Sequence, residues 1–151
     1  MKIKIEIIKA EDILTILPLL SIINTKTPED ILIKRTLEMS QLPHYECVGL
    51  YIDDELSGIS WLWYSTKHYI GKTVEPDHVI INPSLRGKGL GKTLFTWIDN
   101  YVISKGCEGI ELNAYVSNSK SHKFYYNLGY NILGFHFLKV LRSNKKFYWF
   151  W

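Results

Sequence analysis

Residues 79–92 read VIINPSLRGKGLGK. The run begins with apolar residues and reaches Pro83, which has no N–H to donate to a β ladder, so it predicts a strand that ends near this proline. Three glycines follow at alternate positions, and Leu90, Leu94 and Trp97 then begin an apolar stripe at helical spacing. Residues 79–92 therefore predict a strand, a glycine-rich turn and the start of an amphipathic helix.

The glycine-rich turn between Arg86 and Lys92 is typical of an anion site. Glycines allow the backbone to approach a ligand with no Cβ in the way, and the N–H groups of a first helical turn have no intrahelical partner. The positive end of the helix dipole and the side chains of Arg86, Lys88 and Lys92 add to these donors. The turn is therefore expected to bind phosphate.

Spacing separates three motif families that bind phosphate in this way. The ATP-binding P-loop ends in Gly-Lys-Ser/Thr, as at Gly91, but its first glycine would fall on Arg86. The dinucleotide fingerprint GxGxxG would need a glycine at Lys92. The spacing Arg86-x-x-Gly89-x-Gly91 instead matches Arg/Gln-x-x-Gly-x-Gly/Ala, which holds the coenzyme diphosphate in the GNAT superfamily of acyl-CoA-dependent N-acetyltransferases. The chain resembles that superfamily.

A second region carries the same resemblance. Asn118, followed by FYYNLGY at residues 124–130, is similar to the second conserved region of the family. The resemblance implies a GNAT-like α/β fold with a central, mostly antiparallel mixed sheet of about six to seven strands, one parallel splayed pair and about four flanking helices. It also implies that residues 1–151 form a single N-acetyltransferase domain.

Hydrophobic periodicity along the chain agrees with such a mixed sheet. The predicted strands cover residues 2–8, 47–52, 56–64, 73–81, 110–114 and 130–141. The predicted helices cover residues 13–20, 28–39 and 119–128, together with a long helix that begins at Leu90 and stops at Gly106.

The resemblance assigns roles to residues at the matching positions. Those implied to hold the coenzyme are Val79, Ile80, Ile81, Arg86, Gly87, Lys88, Gly89, Leu90, Gly91, Lys92 and Asn118. Tyr125 occupies the position of the tyrosine that donates to the departing thiolate; a packing ring on the last helix is the competing interpretation. Asn118 has a competing role as the N-cap of that helix.

The chemistry of acetyl transfer to an amine also favours a residue that acts as a general base. A thioester is already activated, so an amine can attack it directly, but for an amine of pKa about 10 the neutral form costs roughly 4 kcal/mol at pH 7. Period-two alternation places Glu75, Asp77, Val79 and Ile81 on one strand face. Glu75 lies where histone-acetylating members of the superfamily carry a carboxylate base, and is preferred to Asp77. Two solvated carboxylates near a strand end are the alternative.

Composition and residue spacing argue against several other classes of function. The 151 residues, 46% hydrophobic and 22% charged, suit one folded domain, and a net charge of +3 is too small to indicate nucleic-acid binding. The most apolar stretch, residues 13–23, is too short to cross a membrane. The five histidines form no metal-binding motif, so no metal is expected. The two cysteines, Cys47 and Cys107, lack metal-ligand spacing and favour a reducing cytoplasm.

Two sets of aromatic residues can each be explained in two ways. Trp61 and Trp63 share a strand face that lines either the core or an acceptor pocket. Residues 147–151, FYWFW, are expected to form either a final strand or a homodimer interface.

The function expected from these features is transfer of an acetyl group from acetyl-CoA, the cosubstrate, to a primary amine of a small molecule or peptide. Attack would be direct, in a ternary complex. A non-catalytic acyl-CoA-binding sensor is the alternative, and a nucleotide phosphohydrolase is a third interpretation.

Overall fold

The computed structural model describes residues 1–148. The strands are β1 (Ile3–Ile8), β2 (Tyr45–Ile52), β3 (Glu55–Lys67), β4 (Gly71–Ile81) and β5 (Gly109–Ile110). The α-helices are α1 (Leu17–Ile23), α2 (Glu29–Gln41), α3 (Leu90–Ser104) and α4 (Ser119–Asn127), and 3₁₀ turns cover Ala10–Ile16 and Pro83–Leu85.

The strands form one sheet in the order β1-β2-β3-β4-β5. The first four are antiparallel neighbours, and β5 lies parallel to β4 after a crossover through α3. The predicted mixed α/β fold with one parallel pair is confirmed, with five strands among residues 1–148 where six to seven were expected.

Two strand predictions are wrong in extent. β5 covers Gly109–Ile110 instead of residues 110–114, and residues 128–148 contain no helix or strand, although residues 130–141 were expected to be one. An apolar extended pattern shows that a segment suits a strand, but a strand also needs a partner backbone for its hydrogen bonds. The pattern itself does not identify that partner.

Local signals at the turns act as expected. Asp53 and Asp54 connect β2 to β3 with φ of 50° and 68°, and a two-residue turn with two positive φ angles suits the twist of a hairpin. At the far end of α3, Gly106 has φ 83° and its N–H donates to the carbonyl of Ile103, which ends the helix.

The core lies on both faces of the sheet. One face, here the α1 face, packs against residues 10–23, and its buried members are Ile8, Ile13, Ile16, Leu19, Leu20, Cys47, Ile59, Trp61 and Ile80. The other, the α3 face, packs against α3 through Val48, Leu50, Leu62, Val74, Leu90, Leu94, Ile98 and Val102.

A β-bulge at His78 changes which residues of β4 share a face. Ile59 pairs with Ile80 but Trp61 pairs with Asp77, so β4 carries one more residue than β3 over this stretch. His78 has φ 46°, a conformation uncommon outside glycine.

The predicted common face of Glu75, Asp77, Val79 and Ile81 is therefore wrong. Glu75 and Asp77 lie opposite Trp63 and Trp61, on the α1 face, whereas Val79 and Ile81 pack on the α3 face. Because the bulge adds one residue to β4, the side chains after Asp77 lie on the opposite face of the sheet from the one that regular alternation predicts.

Within the described part of the chain, no helix combines the length and the apolar character that a membrane span requires. The longest, α3, has 15 residues.

Candidate active site

The turn before α3 forms a cradle of bare backbone. Gly87 and Gly89 have φ of 79° and 76°, and a Cβ built on either would meet nothing within 4 Å. Gly89 is the N-cap of α3 and has no side chain with which to cap it, so the first-turn N–H groups are directed at open space. These features fit the diphosphate of a coenzyme, since a negatively charged group there would gain both the donors and the helix dipole.

Three cations surround this cradle. Arg86, Lys88 and Lys92 are all exposed, and no ion pair joins any of them to a residue within 1–148. A groove of about 600 Å³ begins at Gly89 and Lys92 and follows α3 towards β1. The cradle therefore combines free positive charge with room for an extended ligand.

Two residues of the predicted coenzyme site have structural roles as well. The Leu90 side chain is buried on the α3 face, so only its backbone can contact a ligand. A Cβ at Gly91 would come within 3.2 Å of the Phe124 ring of α4. Glycine at this position therefore lets α4 approach the first turn of α3.

One edge of β4 is open beside the cradle. β4 and β5 pair only at Thr73 with Gly109 and at Val74 with Ile110, and no described strand covers that edge from there to Ile81. Val79, Ile80 and Ile81 form the end of this edge. An extended pantetheine arm could pair with their backbone groups, which suits the expectation that they hold the coenzyme.

Glu75 lies where β4 and β5 separate. Asn113 Nδ2 donates a hydrogen bond to Glu75 Oε1 at 2.5 Å. Partial burial, followed by the charge of Asp77, raises the pKa of Glu75, while the hydrogen bond from Asn113 and electrostatic interactions with His136 and Lys67 oppose this rise. A carboxylate with a raised pKa holds a proton more readily than an ordinary surface carboxylate, as a general base requires.

Aromatic side chains accompany the two carboxylates. Tyr45 Oη donates to Asp77 Oδ2 at 3.0 Å, and the Tyr45 ring stacks on Trp63 with centroids 5.9 Å apart. Trp61 is buried in the core, whereas Trp63 is 42% exposed. Of the two explanations for the tryptophans, the core applies to Trp61. Trp63 lies at the surface opposite Glu75, and the surface that Tyr45, Trp63, Glu75 and Asp77 form is here called the cleft.

A small cavity of about 200 Å³ lies between α2 and the bulge of β4. Its walls include Leu32, Met39, Trp61, His78 and Tyr148. Burial lowers the pKa of His78, which favours its neutral form near pH 7. The cavity is thus mainly apolar and borders the cleft.

Tyr125 lies on α4 within a group of aromatic rings. Its centroid is 5.6 Å from that of Phe95 on α3 and 5.7 Å from that of Tyr130. Burial raises the pKa of Tyr125 to about 12. The phenol is therefore protonated at neutral pH and can donate a hydrogen bond, so the packing and donor interpretations are compatible in one residue.

Asn118 is the N-cap of α4, as its competing interpretation proposed. Its Oδ1 accepts a hydrogen bond from the backbone N–H of Ser121 at 3.2 Å. The cap uses only the oxygen, so the Nδ2 group can still donate to a ligand.

The structure adds site residues that the sequence did not indicate. Asn113 and Tyr45 contact the two carboxylates of the cleft, and His136 lies near enough to affect Glu75. The contacts of Asn113 and Tyr45 span more than 30 positions, so no local pattern could have indicated them. Among residues 1–148, no three His, Cys, Asp or Glu side chains are grouped to hold a metal ion.

The C-terminal aromatic cluster is only partly described. Phe147 and Tyr148 are not in a strand, and Arg35 of α2 lies over the Tyr148 ring at 5.9 Å. Residues 149–151 lie outside the described part of the chain.

A glycine cradle at a helix N-terminus beside an open strand edge is the arrangement expected of an acyl-CoA-dependent acyltransferase. Residues 16–130 match the model of the acetyltransferase (GNAT) family. The chain therefore belongs to the GNAT family of N-acetyltransferases, enzymes that use acetyl-CoA.

Known proteins agree with this assignment. The aminoalkylphosphonate N-acetyltransferase of Salmonella typhimurium is 28% identical over 74 residues, 49% of this chain and 48% of that protein, so the match spans about half the length of each. The structure of AAC(6')-Iy with a bisubstrate analogue, CoA-S-monomethyl-acetylneamine, has a TM-score of 0.80 at 17% identity, covering 95% of this chain and 100% of that one.

A further solved structure has the same fold. The ribosomal-protein-alanine N-acetyltransferase from Brucella melitensis biovar Abortus 2308 has a TM-score of 0.78 at 19% identity, covering 93% of this chain and 100% of that one.

Proposed function

We propose that residues 1–151 act as a single N-acetyltransferase domain that transfers an acetyl group from acetyl-CoA to a primary amine in a ternary complex. The observation that carries this proposal is the open edge of β4, which ends beside the glycine cradle of α3 and has a carboxylate of raised pKa where β5 separates from it. A thioester held along that edge would place its acyl group close to the cleft.

This geometry supports the coenzyme site that the family resemblance implies. Backbone N–H groups of residues 87–92, with Arg86, Lys88 and Lys92, bind the diphosphate, and Val79–Ile81 and Asn118 bind the pantetheine. The coenzyme supplies an activated thioester carbonyl. The protein's task is then to orient this carbonyl and to present a neutral amine.

Glu75 removes the proton that keeps the acceptor amine charged. Its raised pKa lies nearer neutrality than that of a free carboxylate, and Asn113 fixes the orientation of its carboxyl group. The neutral nitrogen then attacks the acyl carbon, the new C–N bond forms, and the C–S bond breaks with its electron pair going to sulfur. Glu75 passes the first ammonium proton to solvent, and the second proton, which the nitrogen still carries as a cation after the C–N bond forms, leaves by the same route to give the neutral amide.

Tyr125 acts on the departing sulfur by hydrogen bonding. Complete proton transfer from a phenol of pKa about 12 to a thiolate of pKa about 8.5 would cost roughly 5 kcal/mol, so Tyr125 stabilises the thiolate as a donor without losing its proton. This role requires its ring to stay fixed, which the contacts with Phe95 and Tyr130 provide.

The acceptor is proposed to be a cationic primary amine of a small molecule or a peptide. Glu75 and Asp77 attract the ammonium group, and Trp63 and Tyr45 offer aromatic faces on which a cation can rest. Two of the similar proteins are an aminoalkylphosphonate and a ribosomal-protein-alanine N-acetyltransferase, so both acceptor types occur among them. A cytoplasmic location stays a prediction; Cys47 and Cys107 are free thiols.

The test is release of free thiol from acetyl-CoA in the presence of a panel of aminophosphonates, aminoglycosides and peptides with free N-termini. We expect release to depend on the amine and an acetylated product to appear by mass spectrometry. Tight acetyl-CoA binding with no thiol release from any amine would favour the sensor instead. Binding of ATP with Mg²⁺ and no binding of coenzyme A would favour the phosphohydrolase.

A further inference from the structure

The cavity between α2 and the bulge of β4 adjoins the cleft in which the amine is proposed to bind. Trp61 lies opposite Asp77 in the sheet and also lines the cavity, as does His78, the residue after Asp77. Tyr45 joins the two regions, because its ring contacts Trp61 edge to face at 5.8 Å and its hydroxyl donates to Asp77. A substituent of an amine bound in the cleft can therefore extend into the cavity.

Apolar side chains form most of the wall of this cavity. Leu20, Leu32 and Trp61 are buried there, and Met39 is partly buried. An apolar cavity of about 150 Å³ binds benzene, so a cavity of about 200 Å³ can hold a short alkyl chain or a ring. Such a group would leave water on entering the cavity, which is favourable.

The wall also contains polar residues, and two of them carry no charge near pH 7. The Asn24 Nδ2 group donates to the carbonyl of Leu20 at 2.9 Å, and burial lowers the pKa of His78, which favours its neutral form. Among the described residues that line the cavity, Arg35 is the one that is charged near pH 7.

Arg35 brings a positive charge to the side of the cavity that α2 forms. Its guanidinium lies over the ring of Tyr148 at 5.9 Å, and Tyr148 lines the same cavity. Within residues 1–148, no carboxylate forms an ion pair with Arg35. A guanidinium that lies over a ring can still donate from the N–H groups in its plane, and their fork matches a carboxylate or a phosphate-like anion.

The charge therefore has opposite signs on the two sides of the cavity. Glu75 and Asp77 supply negative charge on β4, and Arg35 supplies positive charge on α2. A ligand with an ammonium group at one end and an anionic group at the other would match both sides, and its apolar chain would occupy the cavity. A diamine would instead place a second cation beside Arg35, which is unfavourable.

We propose that the acceptor is a small zwitterion, in which a short apolar chain joins the primary amine to a carboxylate or phosphonate that Arg35 binds. This inference rests on the proposed function and narrows its acceptor. Arg35 determines specificity and takes no part in the chemistry, since it lies on α2 and the acyl group meets the amine at β4. A contact that is equal in the ground state and the transition state affects KM and not kcat.

The first experiment compares acceptors of equal chain length by release of free thiol from acetyl-CoA. The acceptors are linear aminoalkanoates, linear aminoalkylphosphonates, the alkylamines that lack the anion, and the diamines that carry a second ammonium group in its place. We expect the better of the two zwitterions to have a kcat/KM about 20-fold higher than that of the matched alkylamine, with the diamine poorest. The two zwitterion series distinguish a carboxylate from a phosphonate.

The second experiment changes the charge of residue 35. Arg35→Gln should raise the KM for the zwitterion about 20-fold, with kcat within about twofold and the KM for the alkylamine unchanged. Arg35→Glu should make the diamine a better acceptor than the zwitterion, because the charge that selects the far end of the chain is reversed.

The matched control is Lys34→Gln. Lys34 precedes Arg35 on α2 and is likewise an exposed cation, but it does not line the cavity. This variant removes the same charge from the same helix, so it should keep the wild-type KM for the zwitterion.

A binding measurement separates this inference from the proposed function. Calorimetry on protein saturated with coenzyme A gives the Kd of the zwitterion without turnover, and Arg35→Gln should raise this Kd about 20-fold. Binding through Arg35 without acetylation of any amine would contradict the proposed function and support the site described here.

Three results would overturn the inference. They are equal kcat/KM values for the zwitterions and the alkylamines, an Arg35→Gln variant with the wild-type KM and Kd for the zwitterion, and a Lys34→Gln variant that weakens zwitterion binding as much as Arg35→Gln does.

Discussion

The chain up to Val102 and the chain after it are built differently. Every buried residue of the described chain lies between Ile8 and Val102, on the two faces of the sheet. After Val102, no residue as far as 148 is buried, yet Asn113, Asn118 and Tyr125 belong to the proposed site. The later part is held by a few contacts, such as Phe124 against Gly91.

This difference suggests a division of labour. The first part supplies the apolar burial from which stability comes, together with the glycine cradle and Glu75, and the second part adds Asn113, Asn118 and Tyr125 to the proposed site. Core variants should therefore reduce the free energy of unfolding, whereas variants of Asn113, Asn118 and Tyr125 should reduce activity with little loss of stability.

The largest effect is expected in the core. Leu94 is fully buried on the α3 face, so Leu94→Ala should lower the free energy of unfolding by about 3 kcal/mol through lost burial and the cavity left behind. Urea denaturation measures this free energy. Val116→Ala, at an exposed position after Val102, should change the same quantity by less than about 0.5 kcal/mol. Equal losses would contradict the division.

The next effect concerns the two glycines at the ends of α3. Gly89→Asp puts a carboxylate where the diphosphate is proposed to bind, so we expect coenzyme A to bind about 100-fold more weakly in calorimetry, about 2.7 kcal/mol. The control is Gly106→Asp, which imposes the same strain at φ 83° at the other end of the helix. If both variants bound coenzyme A equally well, the cradle would be misassigned.

Variants of Glu75 test the contact between the two parts, because Glu75 lies on β4 and its carboxyl group accepts a hydrogen bond from Asn113, which lies after Val102. Glu75→Gln should lower kcat/KM about 100-fold near pH 7. In the wild type the rate should fall as pH drops through the raised pKa of Glu75, because protonation removes the base. This fall should be absent from the variant, and the difference should shrink as pH approaches the pKa of the acceptor amine.

A further variant separates the two carboxylates. If Asp77→Asn, and not Glu75→Gln, removed the acid limb of the pH profile, Asp77 would be the base. Tyr45 would then be its positioning residue through the hydrogen bond to Asp77.

The smallest effect is expected for a variant of α4, measured on kcat. Tyr125→Phe should lower kcat about 30-fold, because a hydrogen bond to a charged sulfur contributes about 2 kcal/mol, with stability nearly unchanged. Tyr126→Phe is the control, since Tyr126 is exposed and is the next residue on the same helix. Thiol release measures both, and equal kcat values would leave Tyr125 a packing residue.

The sequence predicted those features that depend on neighbours along the chain. α3 followed from its apolar stripe, its start from the glycines after Pro83, and its end from Gly106, because capping and helical periodicity act within a few residues. Asp53 and Asp54 likewise form the predicted hairpin turn.

The faces of β4 were predicted wrongly for a reason that is physical. Period-two alternation assumes a regular strand, and the bulge at His78 inserts one residue into β4 relative to β3. Whether a strand bulges depends on the partner that it pairs with, so the position of Glu75 relative to Val79 required the assembled sheet.

The sequence by itself determined the order of elements, the mixed sheet and the resemblance to the GNAT family, because these depend on hydrophobic period, glycine positions and two local motifs. Only the tertiary structure determined that Asn113 holds Glu75, that β5 is two residues long and that residues 131–146 form no strand although His136 among them lies near Glu75. Contacts between distant residues depend on how several elements pack at once, and no local pattern encodes that packing.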